Sequence, residues 1–152
     1  MSTSDTDRIH KEITLTALPA RVWRALTDPA EFGAWFGVRL AGEFRVGEDF
    51  EGPITHPGYE HLSLRAQVVS LEPERCFAFR WQPQAFDQSV DHSGEPTTLV
   101  EFRLEAAGTG TRLTVDESGF DGLPEKYRAE SFLRNEGGWT AQTGNIARHV
   151  DG

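Results

Sequence analysis

The middle of this chain alternates between apolar and polar residues, and only one later segment is long enough to cover the face this makes. Leu62, Leu64, Ala66 and Val68 alternate with polar neighbours, and the run continues to Leu71. Phe77, Phe79 and Trp81 share one face of a second run. Thr98, Val100, Phe102 and Leu104 do so in a third, and Leu113 and Val115 in a fourth. Alternation with a period of two is the pattern of half-buried strands. Glu72–Pro73–Glu74–Arg75 and Gly108–Thr109–Gly110 break the runs, and links this short join antiparallel neighbours. An antiparallel sheet with one polar face must cover the other. The long helical pattern left for that purpose runs from Pro124 to about His149. Within it Phe132, Trp139, Ile146 and Val150 are spaced to lie on one helical face.

Before the sheet, Ile9–Thr16 reads as a short strand with Ile13 and Leu15 on one side. A helix follows from Pro19, since proline suits a first helical turn. Val22, Trp23 and Leu26 form its apolar face, and Trp23 and Leu26 are expected to be buried where it meets the sheet. Asp28, Pro29 and Glu31 read as a capping box opening a second short helix that carries Trp35 and Phe36. Leu40, Gly42, Phe44 and Val46, then Phe50, Gly52 and Ile54, alternate on either side of Gly47–Glu48–Asp49, which predicts a hairpin. His56–Pro57–Gly58 is a further turn, and residues 82–96 form the longest loop. Residues 1–7 are expected to be a disordered tail and residues 8–152 a single domain.

Composition narrows the function classes. The chain of 152 residues is long enough for a real core. Its net charge of −9 disfavours nucleic acid and anionic membrane surfaces as partners. The lone Cys76 can build neither an intrachain disulfide nor a thiolate cluster, and lies in a predicted strand as a buried thiol. No apolar run is long enough for a membrane span. The polar, acidic N-terminus lacks the layout of a signal peptide, so the cytoplasm is the expected location.

A series of short segments carries a family resemblance. They are Val22–Trp23–Arg24–Ala25–Leu26–Thr27–Asp28–Pro29, Trp35–Phe36, Leu71–Glu72–Pro73 with Phe77–Ala78–Phe79–Arg80–Trp81, Thr98–Leu99–Val100, Gly110–Thr111–Arg112–Leu113, Glu117–Ser118–Gly119–Phe120 and Gly138–Trp139. In their order and spacing they resemble the activator-of-Hsp90-ATPase-homologue (AHSA1) branch of the START-like, or SRPBCC, superfamily. The resemblance implies an α+β helix-grip fold of the START/Bet v 1-like kind. In that fold a curved antiparallel sheet wraps round a long C-terminal helix, with two short helices after the first strand. It implies a hydrophobic cavity between sheet and helix, and so ligand binding. The predicted cavity walls are Trp35, Phe50, Phe79, Trp81, Phe102, Tyr127, Phe132 and Trp139. The family name implies a chaperone-linked protein-interaction domain, with a chaperone partner and a place in stress response, as an alternative. A cyclase, lyase or hydrolase using the same cavity is a third reading.

The residues point to binding before catalysis. His56, His61, Asp87, Asp91 and His92 are capable of holding a metal but lack enforced ligand spacing, so no metal or other cofactor is expected. Asp116 and Glu117 are consecutive in a strand, point to opposite faces, and are read as part of a structural strand-to-helix junction. Ser118 has no nucleophile-elbow context, and no phosphate-cradling glycine loop occurs. No catalytic residue is assigned. Arg80 is expected to face outward as a surface arginine. Gly137–Gly138 costs about 1 kcal/mol per glycine inside a helix, which predicts a bend, a close backbone approach or ligand space beside Trp139. The expected ligand is a small apolar molecule.

Overall fold

The computed structural model describes residues 4–86 and 90–151, Phe86 by its backbone alone. Strand β1 (Arg8–Leu15) leads into helices α1 (Pro19–Thr27) and α2 (Pro29–Phe36). Strands β2 (Asp49–Pro53), β3 (Ser63–Glu72), β4 (Cys76–Trp81), β5 (Thr98–Ala107) and β6 (Gly110–Ser118) follow, then the long helix α3 (Glu125–Asp151). The strands form one curved antiparallel sheet in the order β1-β6-β5-β4-β3-β2. This is the helix-grip fold that the family resemblance implied, with the alternating runs forming the sheet and the long helix covering it. A register shift between Val68 and Ser70 adds a residue to β3 opposite β4, and such a bulge bends and twists its strand.

Alternation sorts the sheet as the sequence requires. Phe77, Phe79, Val100, Phe102, Leu113 and Val115 are buried beneath α3, whose Trp139 and Ile146 are buried in turn. Phe132 and Val150 pack on the edge of the same core. The Pro73 break separates β3 from β4 as predicted. Cys76 is buried, and burial pushes its thiol pKa up.

Several expectations need correction. Residues 40–46 form no strand: a single bridge just before them joins Val38 to Ile54. Of the alternating set Phe44 is buried in the core and Leu40 packs against its edge, while Val46 is exposed. Asp28 does cap α2, accepting from Ala30 N at 3.0 Å. Glu31, however, does not close the capping box; it bonds Arg21 and Arg24 at 2.7 Å each and His149 at 2.9 Å. Leu26 is fully buried but Trp23 only partly. Gly137 and Gly138 are exposed, and a Cβ on either would meet nothing within 4 Å. They therefore provide neither a close approach nor ligand space. Close approaches occur at Gly52 and Gly110 instead, where an added Cβ would lie 1.9 Å from Arg39 O and 2.1 Å from Leu15 O. Of the segment read as a tail, Ser4 bonds the Asp121 carboxylate through its N and Oγ, and Asp7 O accepts from Gly119 N and Phe120 N; residues 1–3 lie outside the described residues.

Candidate functional site

The inward row of β6 runs Thr111, Leu113, Val115, Glu117, and its last member is a carboxylate with no solvent exposure. A charge this deep is costly unless hydrogen bonds satisfy it. Trp81 Nε1 donates to Oε2 at 2.7 Å and Thr98 Oγ1 donates to the same oxygen at 2.5 Å. Trp139 Nε1 donates to Oε1 at 2.8 Å, and Asn135 Nδ2 reaches Oε1 at 2.9 Å and Oε2 at 3.2 Å. Buried indole N–H groups need acceptors of their own, so the satisfaction is mutual. Trp81 and Thr98 are cross-strand partners, while Asn135 and Trp139 lie one turn apart on α3. Glu117 therefore ties sheet to helix, with the two indoles stacked 5.9 Å apart. Asp116 faces the other way and accepts from Arg8 and from His10, as alternation predicts.

Beside this cluster lies a concave pocket of about 540 Å³. Its apolar surface comes from Leu64 and Ala66 of β3, Trp81 of β4, Phe36 at the end of α2, and Ile54 and Leu62 from the connection between β2 and β3. Gln82, Pro83, Ala85 and His92 contribute from the loop after β4, and Arg134 and Asn135 from α3. Trp81 and Asn135 both line the pocket and bond Glu117. The carboxylate thus stands directly behind the pocket wall.

The loop wall is braced from within. The His92 imidazole is buried, sits 2.7 Å from Glu95 Oε1 through Nδ1, and packs edge-on against Tyr127 at 5.5 Å. The His92 contact holds the Glu95 carboxyl below its usual range. Gln84 Nε2 donates to Glu95 Oε1 and to Pro96 O. Arg134 donates to Pro83 O at 2.5 Å. Burial pushes its guanidinium pKa down, against the opposite pull of Glu130 and Glu117.

A second concavity of about 500 Å³ lies between the end of α2 and the end of α3, lined by Trp35, Phe36, His56, Pro57, Arg148 and His149 among others.

The family model described as "Activator of Hsp90 ATPase homolog 1-like protein" matches residues 16–151. The chain belongs to this family. Among solved structures it is similar to DynU16 of the dynemicin biosynthetic locus, with 25% identity, a TM-score of 0.72 and 95% of this chain covered. The match covers 47% of DynU16, so this chain spans about half that protein's length. Protein MLL2253 from Mesorhizobium loti matches at 24% identity and a TM-score of 0.74, over 95% of this chain and 96% of that one. The Aha1 protein from Colwellia psychrerythraea, solved as a dimer, matches at 16% identity and a TM-score of 0.70, over 94% and 95%. The last two likenesses speak to the fold alone.

Within this AHSA1-like fold the eight predicted wall residues fall in different places. Trp81 lines the larger pocket and Trp35 the smaller. Trp35 also donates through Nε1 to Ala25 O at 2.8 Å and stacks edge-on with Phe32. Phe50, Phe79, Phe102 and Trp139 form a chain of ring contacts through the core. Tyr127 backs His92, and Phe132 packs against Phe120. Phe36, read only as part of the second helix, lines both concavities. Arg80 is exposed as expected and stands at the rim of the larger pocket.

Of the metal-capable set, His56 packs at a tilt against Tyr59, Asp91 accepts from Ser93 N, and Asp87 lies outside the described residues. Among the described residues no group of three His, Cys, Asp or Glu side chains could hold a metal.

Sequence reasoning passed over Glu117 as a site residue. The signal was present: continuing the inward row from Leu113 and Val115 by two lands on Glu117.

Proposed function

We propose that this chain binds a small, largely apolar molecule in the pocket walled by β3, β4, the loop after β4 and α3. The observation that carries the reading is the pocket's make-up. Leu64, Ala66, Trp81 and Phe36 help make most of its exposed lining surface apolar, while polar and charged residues, among them Asn135, Gln82, Arg80 and Asp91, stand around that surface. An apolar surface with polar groups to orient a ligand is the make-up of small-molecule sites. The test is titration with N-phenyl-1-naphthylamine, a neutral apolar fluorophore. It should bind the folded protein with Kd near the micromolar range, about −8 kcal/mol, and quench tryptophan emission through Trp81. Leu62→Trp, at the half-buried edge of the pocket, should weaken binding while leaving the thermal midpoint in place. Absence of binding to the folded wild type overturns the reading.

The family description supports a second reading, a chaperone-linked interaction domain. Its test is the ATP turnover of an Hsp90 measured with and without this chain; acceleration would put that reading first. A cyclase, lyase or hydrolase in the same pocket comes third. Acid–base chemistry uses an acid and a base in reach of the substrate, and among the described pocket-lining residues His92 is the buried titratable one.

The net charge of −9 supports a reading without nucleic-acid or membrane-surface partners. No helix among the described residues is long and apolar enough to cross a membrane. A cytoplasmic location goes with this reading.

A further inference from the structure

Two amide side chains in the pocket wall have their orientation fixed by what lies behind them. Asn135 Nδ2 contacts both oxygens of Glu117. A carboxylate accepts and does not donate, so the amide must turn its NH2 group toward Glu117. Its oxygen, Oδ1, then points away from the carboxylate. Gln82 repeats the arrangement. Its Nε2 donates to His92 O at 2.9 Å and to Glu95 O at 3.1 Å. Backbone carbonyls also only accept, so the Gln82 amide cannot turn over without losing both bonds. Both residues line the pocket. Neither Asn135 Oδ1 nor Gln82 Oε1 is among the buried side-chain atoms without a partner. Neither oxygen has a hydrogen-bond partner among the described residues, so each is a spare acceptor on an amide whose donor end is engaged within the fold.

We infer that the pocket selects ligands carrying hydroxyl or N–H donors on an apolar, ring-sized body, with Asn135 Oδ1 as the principal acceptor and Gln82 Oε1 as the second. This rests on the pocket reading above and adds the polarity of the ligand. Glu117 acts as a positioning residue: it holds the Asn135 amide with its oxygen toward the ligand and holds the Trp81 indole as the adjoining apolar wall. Freely rotating amides would accept ligand donors and acceptors alike. Amides pinned at their nitrogen discriminate, because a ligand without a donor leaves a desolvated acceptor unpaired.

The test compares 2-naphthol with 2-methoxynaphthalene on the full chain. The two share a ring system and differ in whether the oxygen carries a proton. The added methyl group makes burial alone favour the methoxy compound about fourfold. Fixed acceptors reverse that order, and 2-naphthol is expected to bind about tenfold more tightly. Asn135→Leu removes the principal acceptor. It should reduce the preference by a factor of about three or more while 2-methoxynaphthalene still binds. Asn135→Ala is the smaller change and gives the same readout where the leucine variant folds poorly. Tighter binding of the methoxy compound to the wild type overturns the inference and leaves the pocket reading standing. An undiminished preference in the folded Asn135 variants does the same. If neither compound binds the folded wild type, the pocket reading falls and this inference with it.

Discussion

Trp139 Nε1 donates to Glu117 Oε1 at 2.8 Å, joining α3 to β6 through a carboxylate that solvent does not reach. The bond spans the interface between the sheet and its covering helix. Breaking it exposes the cost of every other donor gathered there.

Glu117→Leu should therefore destabilise the fold by about 3 kcal/mol or more, because the indole N–H groups of Trp81 and Trp139 and the Asn135 amide lose their shared acceptor. Trp139→Phe keeps an aromatic ring but removes the indole donor and leaves a cavity where the five-membered ring was, and should cost about 2 kcal/mol or more. Denaturant midpoints measure both. A leucine variant as stable as the wild type would show that the donors find other partners.

The same carboxylate shows where the sequence was legible. Strand alternation identified β3, β4, β5 and β6 because their inward rows are apolar nearly throughout. It passed over Glu117 because the one charged member of an inward row is told from a junction residue only when the donors on another element are known. Trp139 and Asn135 belong to α3, and no local pattern links them to β6. The stretch from Leu40 to Val46 misled for the opposite reason. It alternates, yet Phe44 alone is buried, with Leu40 on the edge of the core, and the pairing nearby is one bridge at Val38, not a ladder. The reading of Gly137–Gly138 failed on helical phase. Residues adjacent in a helix do not share a face, so these glycines point to solvent while Trp139 points inward.

That phase makes a prediction about glycines. Gly137→Ala and Gly138→Ala, at exposed helical positions with nothing within 4 Å of the new Cβ, should each stabilise the protein by about 0.5–1 kcal/mol. Gly110→Ala should destabilise it, because its Cβ would meet Leu15 O at 2.1 Å and push β1 from β6. Thermal midpoints of the three variants should therefore move in opposite directions. A rise for Gly110→Ala would mean that β1 can give way at that point.

Cys76 should resist thiol reagents in the native state. It is buried and its pKa is raised by burial, and the thiolate is the reactive form. Ellman's reagent should react slowly with folded protein and at once after denaturation. Equal rates in both states would place the thiol at the surface.

Glu31 predicts a pH dependence. Burial works to raise its carboxyl pKa, but the bonds from His149, Arg21 and Arg24 outweigh that and leave it below its ordinary value of 4.5. A carboxyl lowered on folding contributes stability above its unfolded pKa, and that contribution is lost as the pH falls through the folded one. Glu31→Gln should thus be less stable than the wild type at pH 7, and the gap should close on acidification below about 4.5. A gap that widens in acid would reverse the sign of the argument.

Side-chain NMR reads the pocket in front of Glu117 most directly. On saturation with N-phenyl-1-naphthylamine, the indole N–H of Trp81 and the side-chain amide of Asn135 should shift most. The Trp23 indole, on α1, should stay in place. Binding that moves Trp23 and leaves Trp81 and Asn135 unchanged would contradict the account, as would the absence of any shift.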